Sequence, residues 1–152
     1  MNLAIDDRLA WLAEMMNTLI PFNRHLGLYA VHLQPGEAVL HLPWRDEFLG
    51  YPDPAAMHGG IISTVLDTAG GAAVFSRFQG PEDRCSTVDL RVDYLRPGPP
   101  EDLYAHARVL RFGNRVAVTR TELFAGTPPG EGARAIATGQ AVYNIVRGGG
   151  IG

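Results

Sequence analysis

One stretch, His58-Gly59-Gly60-Ile61-Ile62-Ser63-Thr64-Val65-Leu66-Asp67, constrains this chain more than any other. From Gly60 to Phe75 every residue but Asp67 is apolar, small or hydroxylic, a composition that fits a buried helix running from about Gly60 to Phe78. An isolated ionised carboxylate costs several kcal/mol to bury, so Asp67 must be paired, protonated or put to use. The glycines at the other end leave backbone N–H groups open at a helix N-terminus, where negative charge is favoured. An acid and an anion-favouring helix end within one element suggest an enzyme that stabilises an oxyanion.

Strand patterns surround this helix. A first helix is predicted over Ile5 to Leu19, where Ile5, Leu9, Leu12, Met16 and Leu19 recur at helical spacing and Pro21 ends the run. Leu26 to Leu33 and Ala38 to Trp44 read as a hairpin turned by Gln34-Pro35-Gly36-Glu37. A loop holding Gly50, Pro52, Asp53 and Pro54 leads into the central helix. Beyond Gly80-Pro81 the period becomes two. Val88, Leu90, Val92 and Tyr94 alternate with Thr87, Asp89, Arg91 and Asp93, and the polar set is expected to face solvent. Strands over Leu103 to Arg111, Val116 to Phe124 and Ala133 to Val146 follow. This order gives an α+β fold, an antiparallel sheet against one apolar helix. A helix without a polar face is enclosed on all sides, which one curved sheet cannot achieve, so at least a dimer is expected. Gly70-Gly71 read as the close crossing of another backbone. A single domain over residues 1–147 with a flexible glycine-rich tail over 148–152 completes the organisation.

Several function classes drop out. A net charge of −3 leaves no footprint for nucleic acid or an anionic membrane surface. The apolar stretch Ile61 to Phe75 is too short to span a bilayer, and no secretory pattern opens the chain. Cys85 is the single cysteine, which rules out an internal disulfide and makes a reducing cytoplasm the expected setting. With no activating base near it in sequence, Cys85 reads as a small core residue. His25, His32, His41 and His106 lack paired metal-ligand spacing, so no metal is expected. Ser63 is not framed as a serine-hydrolase elbow.

From about Leu26 to Val146 the chain resembles the hotdog-fold acyl-CoA thioesterases of the phenylacetate-pathway group. The resemblance rests on His58-Gly59-Gly60, an acid nine residues after the histidine at Asp67, a hairpin before and four strands after. It implies a long antiparallel sheet wrapped around one central helix, with active sites at subunit interfaces. It implies that the Gly59 N–H polarises a thioester carbonyl, with Gly60 beside it, that Asp67 is the catalytic carboxylate, and that Thr87 helps orient the attacking water. It implies an acyl-CoA substrate in a homodimer or a dimer of dimers, with no cofactor beyond the coenzyme A of the substrate. One position departs: relatives often carry asparagine six residues before the histidine, where this chain has Pro52.

Helix geometry adds a constraint. Gly60 and Asp67 fall on nearly the same helix face but ~10 Å apart along the axis. A reacting carbonyl needs its oxyanion donor and its attacking group within roughly 3–3.5 Å. Two antiparallel copies of the helix solve this, the glycine end of one meeting the acid of the other. Asp67 then acts as general base or as nucleophile, and both routes stay open. Read without the resemblance, Asp67 is equally a structural acid bonded to Thr64, Thr68 or a sheet hydroxyl. His58 reads as a helix-entry residue bonded locally ahead of a base. Arg96, Arg111 and Arg115, near strand ends and turns, are the candidate partners of coenzyme A phosphates, or else solvated turn arginines. A hydratase acting on acyl thioesters and a non-catalytic acyl-binding module are the rival functions.

Overall fold

The computed structural model describes residues 5–148, so residues 149–152 of the glycine-rich tail lie outside the described residues. Gly148 itself is anchored, its N–H donating to Asp83 Oδ1 at 3.0 Å. Eight strands and three α-helices occur in the order α1 (Ile5–Glu14), α2 (Pro21–Leu26), β1 (Tyr29–Gln34), β2 (Glu37–Leu42), β3 (Leu49–Pro52), β4 (Ala55–Met57), α3 (Gly59–Phe75), β5 (Arg84–Tyr94), β6 (Leu103–Phe112), β7 (Val116–Ala125) and β8 (Ala137–Val146). Six strands form one antiparallel sheet in the order β1-β2-β6-β7-β8-β5, and α3 lies across β2, β6, β7, β8 and β5. This is the wrapped sheet and central helix expected from the sequence. Among the described residues no helix is long and apolar enough to cross a membrane.

What lets the sheet curl round α3 is side-chain size. Ala38, Ala105, Ala107, Ala117, Ala137 and Ala141 are buried on its inner face. Ala69, Ala72 and Ala73 are buried on the helix. Small residues on both surfaces bring helix and sheet close, and the larger Leu40, Leu42, Leu66, Leu103 and Leu123 fill the space left between them. Gly70 marks the tightest approach. A Cβ there would collide with the Tyr143 hydroxyl and lie 2.8 Å from Thr119 Oγ1. The crossing predicted at Gly70-Gly71 is therefore made by two side chains of the sheet and not by a backbone.

Several expectations need correction. The first helix is not continuous over Ile5 to Leu19: α1 ends at Glu14 and one π-helical turn spans Met15–Leu19. Pro21 begins α2, because its fixed φ and missing N–H suit the first helical position while it forces Ile20 to extend. Gly27, at φ 77°, then caps α2 in the left-handed region and turns the chain into β1, so the first strand starts at Tyr29 instead of Leu26. The loop before α3 holds a small hairpin of its own, β3 with β4. The last strand starts at Ala137, not Ala133, because a turn closed by Ala133 N–H to Gly130 O occupies the preceding residues. Lastly, α3 ends at Phe75, short of Phe78, and one sheet covers only part of it, as expected. Its inner faces are buried, but Gly60, Thr64, Asp67, Thr68, Gly71 and Phe75 form a stripe that keeps partial exposure.

Replacing Gly70 with Ala should cost roughly 1–3 kcal/mol through overpacking, outweighing the helix-propensity gain of about 1 kcal/mol. Gly71→Ala, whose Cβ meets Tyr143 Cε1 at an ordinary 3.7 Å, should lose less. Urea denaturation midpoints of the two variants check the order.

Candidate active site

His58 stands just before α3 with extended backbone, and its ring Nδ1 accepts the Gly60 N–H at 2.9 Å. That bond satisfies one of the orphan donors of the helix start. An accepting Nδ1 places the proton of the neutral ring on Nε2. The local bonding expected of His58 is what the structure shows, and it narrows the glycine pair. The Gly60 N–H is taken, while the Gly59 N–H precedes every intrahelical bond and points out of the helix start. Tyr94, at the end of β5, braces this point: its hydroxyl donates to Gly59 O at 3.1 Å, and a Cβ on Gly59 would press on its ring at 3.4 Å. Gly50 completes the support. A Cβ there would stand 2.6 Å from His58 Cα, so only glycine lets β3 run beside the helix entry, where the His58 N–H reaches Phe48 O at 2.8 Å.

Asp67 lies two helical turns further on, on the open stripe of α3 and half-buried. Its Oδ1 accepts from Thr87 Oγ1 at 2.8 Å and from the Tyr143 hydroxyl at 3.3 Å. The same hydroxyl stands 2.7 Å from the Asp67 carbonyl oxygen and donates mainly there. The acid is neither isolated nor fully enclosed. A sheet hydroxyl holds it, and Thr64 and Thr68 instead bond the carbonyls one turn back in the helix.

Thr87 reaches Asp67 because β5 breaks its alternation. The β5–β8 register slips between Thr87 and Asp89, which leaves Val88 bulged outward and 65% exposed. On either side of the bulge, Cys85 and Thr87 share the inner face with Leu90 and Val92. Thr87 keeps the solvent exposure expected of it, but not on the face of Asp89, Arg91 and Asp93: one extra residue moves it to the helix side. Cys85 is close enough to Asp67 to feel its charge. Burial, with a smaller contribution from that carboxylate, pushes the Cys85 thiol up to about 12. Burial followed by the same charge also raises the Tyr143 phenol well above its ordinary range, so Tyr143 stays a neutral donor.

Within one chain the Gly59 N–H and Asp67 stand apart by eight residues of helix, ~12 Å of rise. The arginines divide in the same way. Arg111 and Arg115 flank the β6–β7 turn, next to the cross-strand row Phe112, Ala117, Tyr143 and Thr87 that carries the support of Asp67. Arg96 follows Tyr94 at the far end of β5, beside the Gly59 end of α3, ~25 Å from Thr87 along the strand direction. One chain does not bring the three together. Pro52 lies at the exposed tip of the β3–β4 hairpin, and the neighbouring Asp53 is exposed too. Among the described residues no three His, Cys, Asp or Glu side chains gather as metal ligands.

Sequence reasoning missed Tyr94 and Tyr143. Tyr94 carried a signal, the last apolar position of an alternating strand. Tyr143 carried none, since its partner is 76 residues away.

A long antiparallel sheet curled round one glycine-opened helix is the hotdog fold of the thioesterases. The chain belongs to the thioesterase superfamily, whose family model matches residues 55–130. It is 36% identical over 133 residues to the medium/long-chain acyl-CoA thioesterase YigI of Escherichia coli K12, covering 80% of this chain and 86% of YigI. A crystal structure of a thioesterase family protein from Silicibacter pomeroyi superposes with a TM-score of 0.80 at 31% identity, covering 92% of this chain and 99% of that one. The PaaI protein of the Escherichia coli phenylacetic acid degradation operon shares the fold at a TM-score of 0.80 and 20% identity, over 95% of this chain and 98% of PaaI.

Cys85 serves as a reporter of the Asp67 charge. At pH 8 the folded wild type should react with a thiol reagent at least ~10-fold more slowly than an unperturbed cysteine, because its thiolate is scarce. Asp67→Asn removes the carboxylate and should lower the Cys85 thiol pKa and speed labelling. A spectrophotometric thiol titration of the two proteins measures both effects.

Proposed function

We propose that this chain hydrolyses acyl-CoA thioesters to the free acid and coenzyme A, at a site shared between two copies. The observation that carries the reading is the Asp67 carboxylate, held by Thr87 and Tyr143 on the open stripe of α3 and eight residues from an open Gly59 N–H. In the shared site the Gly59 N–H of one copy, backed by the positive end of the α3 dipole, receives the charge that develops on the thioester oxygen. Asp67 of the other copy takes the proton of an attacking water, or attacks the carbonyl itself. Thr87 fixes the carboxylate and its water, and His58 fixes the glycine turn. The thiolate of coenzyme A is a good leaving group, so no strong acid is needed and no cofactor enters beyond the substrate's own.

Two surface features support the pairing of copies. β5 is an end strand of the sheet, with its outer edge unpaired among the described residues. Tyr94, bonded to Gly59 O at the helix start, and its neighbour Leu95 are more than half exposed, as is Val88 at the β5 bulge, apolar surface along this edge strand of the kind that marks an interaction surface. Antiparallel association there sets two α3 helices side by side in opposite directions, which removes the ~12 Å mismatch within one chain. The same assembly allows Arg96 of one copy and Arg111 and Arg115 of the other to serve one nucleotide. The name of YigI points to medium or long acyl chains as the substrates to try first.

A thiol-release assay over an acyl-CoA panel tests the activity. Asp67→Asn keeps the side-chain volume and removes the charge, and should cut hydrolysis by at least ~100-fold while the protein stays folded. Wild-type rates in that variant would make the acid structural.

Replacing Arg111 and Arg115 together with Ala should raise KM for full coenzyme A esters and leave truncated pantetheine thioesters little changed. Guanidinium groups that bind phosphate contribute uniform binding, away from the reacting carbonyl. Initial-rate kinetics on both substrate types check this, and equal losses on both would assign these arginines to the fold.

A further inference from the structure

The open stripe of α3 leads somewhere. Past Asp67 it runs over Gly71, which has no side chain, to Phe75 at the end of the helix. Phe75 is also a wall of a cavity of about 200 Å³ between α1 and the C-terminal end of α3. Trp11 and Leu12 of α1 form the opposite wall, and Phe78 closes the side, its ring edge-on to Phe75 at 5.1 Å between centroids. Of the polar groups at the margin, the buried Arg8 Nε has no hydrogen-bond partner among the described residues, while others are engaged. Arg8 Nη1 donates to Phe78 O at 2.8 Å, and Asp83 is held by Arg147 at 3.0 Å and by the Gly148 N–H. What the cavity offers a ligand is mostly hydrocarbon surface, and Trp11, 48% exposed, stands at its mouth.

We infer that this cavity receives the distal end of the substrate's acyl chain, and that Trp11, Leu12 and Phe75 set the chain length the enzyme prefers. The inference rests on the thioesterase reading above, which fixes the carbonyl at Asp67. From Asp67 to Phe75 the helix rises ~12 Å. With carbon–carbon bonds of ~1.5 Å, a chain of roughly eight to ten carbons covers that distance, so shorter chains end on the stripe and longer ones enter the cavity. Gly71 keeps the way clear, since any side chain at that position stands on the stripe between carbonyl and cavity. The volume falls below the ~300–1,000 Å³ usual for whole ligands, which suits the tip of a chain and excludes a nucleotide. Burying successive methylene groups among Trp11, Leu12, Phe75 and Phe78 supplies the gain in binding with length.

Two measurements test it. The first is the ratio of kcat/KM for dodecanoyl-CoA to that for hexanoyl-CoA. Phe75→Trp narrows the cavity and should lower this ratio at least ~10-fold, the scale of chain-length discrimination in an apolar pocket. Trp11→Ala widens the mouth and should shift the preference to still longer chains. The second measurement leaves the cavity native: Trp11 fluorescence in a Trp44→Phe protein, titrated with non-hydrolysable thioether analogues of acyl-CoA. A dodecyl analogue should shift the Trp11 emission to the blue, and a butyl analogue of matched occupancy should not. An unchanged ratio in Phe75→Trp, or equal responses to the two analogues, overturns the inference while hydrolysis itself stands. If the wild type hydrolyses no acyl-CoA, the thioesterase reading fails instead, and the Trp11 response still decides whether the cavity holds the chain.

Discussion

The distance between α3 and the sheet beneath it governs the rest of this structure. Alanines on the inner face of the sheet and on the inner face of α3 set it short, and Gly70 sets it shortest. Only at that spacing does the hydroxyl of Tyr143, rooted in the sheet, reach both the carbonyl and the carboxylate of Asp67. A larger residue at Gly70 would push the helix off its bed and break the bonds that aim the acid. Stability and the placing of the Asp67 carboxylate thus depend on one contact.

That contact also explains how an acid survives in so apolar a helix. Asp67 occupies the seam where α3 meets the partly exposed stripe, so its carboxylate keeps contact with solvent while hydroxyls from β5 and β8 hold it. The burial cost read from the sequence is smaller in the folded chain than the apolar run implies. What remains is a carboxylate of defined direction, a requirement for a base or nucleophile that must meet a carbonyl at a fixed angle.

Much of this was legible in the residues. The order of elements, the central helix and the hairpins followed from periodicity and turn chemistry, because each depends on neighbours in sequence. The capping of α3 by His58 was legible for the same reason. The misreadings have separate causes. The phase of β5 at Thr87 was set by a bulge at Val88, which no local pattern announces, and the division of the first helix was set by Asn23, which donates to Met16 O at 3.0 Å, and by Pro21. The support of Asp67 by Tyr143 and of Gly59 by Tyr94 joins residues far apart in sequence, so only the closed sheet reveals it. The α1 cavity was invisible for the same reason, since its two walls meet only after the chain has folded.

The high pKa of Cys85 has a consequence for the company this site keeps. On the proposed reading an acyl thioester sits beside this cysteine, and a cysteine thiolate there would attack the carbonyl, form an acyl-cysteine and displace the thiolate of coenzyme A. With its thiol pushed up to about 12, Cys85 is almost wholly protonated at neutral pH and is a poor nucleophile for that attack. The carboxylate to which the proposal gives the chemistry helps to hold the nearby sulfur inert, so on that reading the site is protected against capture by its own substrate without giving up a small side chain.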